Sequence, residues 1–407
     1  MPIHRCVFVI PVVMVISLMA AVACQSSDTR TVDGWVKTKG LRVNESSDSG
    51  TTLVHLAAWE GRLDALDWLA AQGANLNARD DSGWTPMFGA AGWGRIDAMT
   101  WLKEHGADID ARDDNGATPM FVAAMHNRID AMTWLAEQGA DLNAKNKWGD
   151  VPMIVATRQG HVEAMQYLHE QGVDVHVADR DGATPMYFLA MKGQLDGMKW
   201  LRELGADINA EDKDGLSPIF WAVYRDRIDI MEWLVEQGAD INARECNGWT
   251  PIFTVASGGH VKALTWLMEH GVDINAKDND GETPMFSAAQ SGRLEAMRLL
   301  KERGADLNAR NNTGRTPMFT AAWGGHLKAM KWLAAQGADI NARDNAGKTP
   351  MFAAMERKEK YPNTEIMAWL KAQGADVNAR DNAGKTPLSL ADHDTIRKWL
   401  LANGARE

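Results

Sequence analysis

Cysteine is scarce in this 407-residue chain, which contains only Cys6, Cys24 and Cys246. Cys6 lies in an apolar leader, and no Cys-x-x-Cys pair is present. A framework of disulfides like that of small secreted domains is therefore excluded. The stability of the fold must come from packing, and we interpret Cys246 as an incidental free thiol.

Positive charge and catalytic motifs are also in short supply. The chain has 43 Lys and Arg against 54 Asp and Glu, a formal net charge of −11. This acidity disfavours nucleic acid and anionic lipid headgroups as partners. No phosphate-binding Gly-rich loop and no nucleophile elbow occurs, and the 11 His residues are scattered. We therefore expect no enzyme, no catalytic residues, no cofactor and no metal site.

What the chain has is a block of 33 residues that recurs along most of its length. In the block from Gly83, Thr85 is placed to cap a first helix, and Pro86 occupies its first turn, where proline loses no hydrogen bond. A second helix is predicted from about Arg95 to His105, followed by a polar finger that ends in an exposed turn. The opening glycine recurs at positions 50, 83, 116, 149, 182, 215, 248, 281, 314, 347 and 384.

This block resembles the ankyrin repeat in its period, its Thr-Pro helix start and its Gly-Ala-Asp-x-Asn-Ala tail, from about residue 31 to the end. The resemblance implies an all-α solenoid of about eleven repeats, each a helix-turn-helix plus a β-finger. We predict an N-terminal half-repeat cap at 31–49, ten repeats over 50–383 and a C-terminal capping repeat at 384–407. The repeat from Gly347 carries four extra residues near Glu356–Pro362.

The period also accounts for most of the 17 Trp and 22 Met. Seven Met follow the Thr-Pro pair or its equivalent, from Met87 to Met351, and eight lie in the second helix, from Met99 to Met367. Ten Trp share one second-helix position: Trp35, Trp68, Trp101, Trp134, Trp200, Trp233, Trp266, Trp332, Trp369 and Trp399. We assign these side chains to the core, where thioethers fill irregular space. An aromatic residue replaces the family's usual His in most copies, so we expect aromatic packing to replace the polar ladder between repeats.

A smaller set of large side chains lies outside the periodic core. Because ankyrin repeats contact partners mainly at the finger tips and the exposed first-helix face, the resemblance implies that these side chains bind a protein. The set is Trp59, Trp84, Trp93, Met125, Trp148, Met191, Tyr224, Trp249 and Trp323. We predict a concave binding face centred on residues 59–148 and a second cluster around Tyr224 and Trp249. The alternative is that these rings pack between neighbouring first helices; Trp221 is predicted to be core.

The first thirty residues have the three parts of a secretory signal: His4-Arg5, an apolar run and small residues before Cys24. A cysteine at the first mature position resembles the bacterial lipoprotein signal. We therefore predict a signal peptide at 1–23, lipidation of Cys24 and a tether at 24–30. Gln25 implies an outer-membrane lipoprotein facing the periplasm or the cell surface. The alternatives are a soluble periplasmic or secreted protein and a retained signal anchor.

Together these features predict a non-enzymatic, monomeric scaffold of the bacterial cell envelope. It would hold a protein partner and contact the membrane through its N-terminal lipid only. An inhibitor or neutraliser of an enzyme or toxin is the alternative, and it would bind tightly, one to one, and block activity. A receptor for small apolar ligands is a further alternative, because exposed rings could also bind such a ligand.

Overall fold

The computed structural model describes residues 30–355 and 364–406. Across these residues the chain forms 23 α-helices, and the fingers consist of turns rather than strands, with one isolated antiparallel bridge between Ser46 and Thr52. The predicted succession of two helices and a finger is confirmed, whereas the β-finger is reduced to turns. The four-residue insertion near Glu356–Pro362, the signal peptide and Cys24 lie outside the described residues.

One helix, α1, precedes the repeats, and then first and second helices alternate. The helices are α1 Val32–Lys39, α2 Leu53–Glu60, α3 Leu63–Ala71, α4 Pro86–Trp93, α5 Ile96–Glu104, α6 Pro119–Met125, α7 Ile129–Glu137, α8 Pro152–Gln159, α9 Val162–Glu170, α10 Pro185–Lys192, α11 Leu195–Glu203, α12 Pro218–Tyr224, α13 Ile228–Glu236, α14 Pro251–Gly258, α15 Val261–Glu269, α16 Pro284–Gln290, α17 Leu294–Glu302, α18 Pro317–Gly324, α19 Leu327–Ala335, α20 Pro350–Met355, α21 Thr364–Ala372, α22 Pro387–Leu390 and α23 Asp394–Ala402.

The chain divides into two compact units, Met1–Lys147 and Trp148–Glu407. The first unit contains α1 to α7, and the second contains α8 to α23. Within each unit the first helices of successive repeats pack against one another and each also packs on its own second helix. The core of each unit therefore runs through successive repeats, as the wide apolar arcs of the helices require.

The first helix of each repeat begins as the sequence predicts, but its cap works differently. Thr85 is the N-cap of α4 and Pro86 lies in the first turn, yet the Thr85 side chain makes no capping hydrogen bond. The Phe88 amide instead donates to the Thr85 carbonyl at 3.0 Å, which closes the first turn through the backbone. At Thr118 the predicted side-chain cap does form, with a long 3.4 Å contact from the Phe121 amide.

The methionines lie where the period predicts them. All seven that follow the Thr-Pro pair and all eight of the second helices are at most 1% exposed. The aromatic residue that follows each Thr-Pro-Met is buried as well, as at Phe88 and Phe286. The core assignment of these side chains is therefore confirmed.

The tryptophans of the second helices are less uniform than predicted. Trp35, Trp101 and Trp266 are buried, but the other seven members of the row are half-buried. The difference follows from the side chain four residues later. His105 stacks on Trp101 with ring centroids 3.8 Å apart, and His270 covers Trp266 at the same 3.8 Å. Where that position lacks a ring or cation, the indole stays partly exposed, so the core assignment is wrong for seven of the ten.

Candidate functional site

The structure separates the nine predicted binding residues by exposure. Trp93 and Trp323, both at the ends of first helices, are 37% and 44% exposed. Trp84 is buried, with only 9% exposed. The other six are half-buried: Trp59, Met125, Trp148, Met191, Tyr224 and Trp249. Exposure alone therefore singles out two of the nine.

Trp59 packs between two first helices of the first unit. Its indole fills the space beside Gly89, where an added Cβ would lie 1.4 Å from Trp59 Cδ1. The ring also meets His55 edge-on, with centroids 6.4 Å apart, and its buried Nε1 has no hydrogen-bond partner within residues 30–355 and 364–406. Packing between neighbouring first helices, the alternative considered from the sequence, describes this ring.

Trp84 is held by the repeat that follows it. Its ring stacks on Phe88 at 5.6 Å, and its Nε1 donates to Asp113 Oδ2 at 3.2 Å. Val122 and the half-buried Met125 complete the same apolar cluster. The expectation that Trp84 is exposed is therefore wrong, because the next repeat supplies both an apolar wall and an acceptor for the indole N–H.

Trp249 repeats this arrangement in the second unit. It stacks on Phe253 at 5.7 Å, and its Nε1 donates to Asp278 Oδ2 at 3.1 Å. Burial raises the pKa of both acceptors, Asp113 and Asp278, while hydrogen bonds from backbone amides and from the indoles oppose that rise. The two finger tryptophans thus make polar contacts between neighbouring repeats.

The same finger contact uses other donors and acceptors elsewhere in the second unit. Arg315 Nε lies 3.5 Å from the buried Asp344 Oδ2. In a second pair the direction is reversed: the acceptor, Glu282, comes first in the chain, and Asn311 Nδ2 in the following repeat donates to Glu282 Oε1 at 3.0 Å. In each of these contacts a donor faces an acceptor 29 residues away in the sequence. Comparing residues at that spacing could have predicted the contacts from the sequence.

Arg158 is a polar anchor that the sequence analysis did not identify. Its Nη2 donates to Asp179 Oδ2 at 2.6 Å, its Nη1 donates to Asp150, and its guanidinium lies 5.1 Å from the Phe188 ring centroid. Both carboxylates are buried, so a paired guanidinium is needed to offset their desolvation. Arg158 is therefore assigned to the scaffold of the second unit.

Tyr224 belongs to a second aromatic group in that unit. Its ring meets Trp221 at 5.8 Å and His260 at 6.0 Å, both edge-on, and Arg225 lies 5.8 Å from its centroid. Trp221 is only 5% exposed, which confirms its assignment to the core. Burial lowers the pKa of His260. Tyr224 therefore forms the half-buried outer edge of this group.

Trp93 lies beside two arginines in the first unit. Arg95 Nε donates to the Trp59 carbonyl at 3.1 Å, and Arg128 Nε donates to the Gly92 carbonyl at 3.0 Å. Both bonds tie the second helix of one repeat to the first helix of the preceding one. Arg95 thus lies two residues after Trp93 in the chain, and Arg128 binds the carbonyl of the residue just before Trp93; both arginines are positioned by the stacking of repeats.

A family model, ankyrin repeats in three copies, matches residues 18–113, 54–146, 121–212, 153–245, 219–311 and 275–344. The chain belongs to the ankyrin-repeat family. Ankyrin repeats mediate protein–protein binding, and proteins of this family are typically non-enzymatic interaction modules. This chain is accordingly a protein-interaction scaffold. A search of curated proteins found no match.

The described part of the ankyrin array was compared only with the geometry of two other kinds of site, a metal centre and a membrane span. Residues 30–355 and 364–406 contain no group of three or more His, Cys, Asp or Glu placed to hold a metal ion. No helix among the same residues has the length and apolar character needed to span a membrane. Cys246 is an exposed free thiol in a finger. The features that distinguish this array are therefore its exposed tryptophans.

Proposed function

We propose that this ankyrin array is a scaffold of the bacterial cell envelope that is exported, lipidated at Cys24 and bound to a protein partner. The proposal rests on the binding role of the family and on the signal pattern of residues 1–23. The observation that carries it is the exposure of Trp93 and Trp323. Large apolar rings at the ends of first helices lie where partners contact ankyrin repeats, and such residues dominate interface energetics.

Crosslinking in cells, followed by capture of the full chain, tests the partner. A Trp93→Ala, Trp323→Ala double variant is expected to lose a protein that the wild type captures. Trp68→Ala is the control, because this half-buried indole belongs to the second-helix row. Equal capture by the wild type and the double variant would refute the proposed binding role of these rings. Capture of one enzyme in an inactive one-to-one complex would identify an inhibitor instead.

Metabolic labelling with a fatty acid tests the anchor. The wild type and a Cys246→Ala control are expected to take up the label and to sediment with membranes, whereas Cys24→Ala takes up none. The N-terminus of the mature chain gives a second measurement, because lipidation predicts a blocked Cys24. A mature chain that begins elsewhere and stays unlabelled would contradict lipidation and favour simple secretion.

A further inference from the structure

Two exposed arginines lie near Trp93 in a chain that is acidic overall. The chain as a whole is acidic, at −11. The surface defined by Trp93, Arg95 and Arg128, here called the Trp93 rim, combines one exposed indole with two exposed guanidinium groups. The two guanidinium groups thus carry a charge opposite in sign to the net charge of the chain.

The two arginines of the rim are held in place through only part of their guanidinium groups. Each donates from its Nε to a backbone carbonyl. The aliphatic part of each side chain also lies over a glycine between two helices. A Cβ added to Gly61 would lie 3.2 Å from Arg95 Cδ, and a Cβ added to Gly94 would lie 3.6 Å from Arg128 Cδ. Among the described residues neither Arg95 nor Arg128 has an ion pair, and no hydrogen bond of theirs uses Nη1 or Nη2. These outer nitrogens are pre-oriented donors for a planar acceptor.

Other arginines at the same repeat position are neutralised. Arg62 holds Asp64 through two bonds of 2.8 and 2.7 Å, and Arg227 holds Asp229 through bonds of 2.9 and 2.7 Å. Arg95 and Arg128 have the same acid two residues later, Asp97 and Asp130, and are not paired with it. Their guanidinium groups turn to the preceding repeat instead, so their charge is available to a partner.

Neither half of this combination is unique to the rim, and the arginine half provides a matched control. Arg293 is held in the same way, with its Nε 3.0 Å from the Ser257 carbonyl, but Ser257, Gly258 and Gly259 provide no aromatic ring there. Trp323 is an exposed indole one residue before the end of a first helix, at the repeat position of Gly92 rather than of Trp93, and the residue at the arginine position of its own repeat is His326. The Trp93 rim joins the two features.

We infer that the Trp93 rim binds an acidic, apolar peptide segment of a protein partner. Carboxylates of the segment pair with the outer nitrogens of Arg95 and Arg128, and an apolar side chain lies on the Trp93 indole. Guanidinium forks recognise carboxylates in two-point geometry, and exposed Trp and Arg together are the residue types that dominate protein interfaces. This inference rests on the proposed scaffold function and names the chemistry of its partner.

Fluorescence anisotropy of the full chain with a labelled peptide Glu-Phe-Glu-Leu-Glu-Phe tests the inference. Replacing each peptide Glu with Gln, or replacing both Arg95 and Arg128 with Gln, is expected to weaken binding by about tenfold or more, as is Trp93→Ala. Arg293→Gln should leave it unchanged. Thermal melting identifies variants that fail to fold, and Arg95→Lys with Arg128→Lys keeps the charge while removing the fork, so an intermediate loss is expected.

Equal binding of the Glu and Gln peptides would overturn the inference. A loss of binding in Arg293→Gln as large as the loss in the Arg95 and Arg128 variant would do the same. So would Trp93-dependent binding to anionic vesicles without binding to the acidic peptide. The scaffold function fails on different evidence, namely when capture from cells shows no partner on any surface. If a captured protein binds independently of Arg95 and Arg128, the scaffold stands and the acidic partner does not.

Discussion

Two tryptophans of the fingers and two tryptophans at the ends of first helices differ in their contacts and in their exposure to solvent. Trp84 and Trp249 stack on a phenylalanine of their own repeat and donate to a carboxylate of the next one. Trp93 and Trp323 remain exposed. All four lie outside the periodic core, so departure from the period does not by itself identify a binding surface. The exposure of such a ring depends on whether the neighbouring repeat supplies a hydrogen-bond acceptor for it or a space in which it can pack.

The largest effect is expected at Trp59, a helix-end ring that behaves like the finger rings. Trp59→Ala should lower the free energy of unfolding by about 3 kcal/mol, at the low end for Trp→Ala because the ring is half-buried. Urea unfolding measures this. Gly89→Ala should destabilise the wild type, where the new Cβ meets the indole, but much less the Trp59→Ala variant, where it enters the cavity. Additive effects would show that Trp59 does not pack on Gly89.

The finger contact gives a smaller effect. Trp84→Phe keeps the ring stacked on Phe88 but removes the N–H donor to the half-buried Asp113, which should cost about 1–2 kcal/mol. Trp249→Phe should cost a similar amount through Asp278. Chemical denaturation of both variants tests the comparison directly. If Trp84→Phe is neutral while Trp93→Phe destabilises, the assignment of the two regions is reversed.

Acid should stabilise the finger contacts. Burial raises the folded-state pKa values of Asp113, Asp212, Asp278 and Glu282, so ionisation costs the folded state more than the unfolded state. For the aspartates, this contribution is full below the ordinary pKa of 3.8 and is lost as the pH rises through the raised value. Asp64 and Asp229 act in the opposite sense, because Arg62 and Arg227 lower their pKa values.

A variant at one finger isolates this effect. The double variant Trp84→Phe, Asp113→Asn removes the carboxylate. It also removes the indole N–H, which would otherwise face the N–H groups of the new side-chain amide. The Oδ1 of that new side chain can still accept from the Asn115 and Ala117 amides, both 2.8 Å from Asp113 Oδ1. Asn311 already fits at the equivalent position. Thermal melts between neutral pH and about pH 4 should show the wild type gaining stability relative to this variant. A constant difference across that range would contradict the raised pKa of Asp113.

The smallest effect is expected at the exposed rings. Trp93→Ala and Trp323→Ala should each change the free energy of unfolding by no more than about 0.5 kcal/mol, as is usual for surface substitutions. The same urea titrations measure both. A loss comparable to that of Trp59→Ala would show that these rings are structural and would remove the basis for the proposed binding surface.

Much of this fold could be predicted from the sequence because its devices are local. The turn glycines, the first-turn prolines such as Pro86 and the spacing of Met87 and Met99 set the helices and their buried faces within one repeat. The binding surface was predicted less well. The sequence groups Trp59 and Trp84 with Trp93 because all three are large and lie outside the period, and their own repeats do not show which ring a neighbouring repeat will cover.

The missing information lies in the next repeat. Gly89 makes room for Trp59, and Asp113 accepts from Trp84. Arg128 crosses to the Gly92 carbonyl, and the neighbouring Trp93 is exposed. The sequence by itself determined the period, the helices and the methionine core, because these depend on contacts that repeat at fixed spacing. The tertiary structure decided which aromatic rings are buried and which arginines keep their outer nitrogens free, because each of those outcomes depends on the particular side chains that two adjacent repeats bring together.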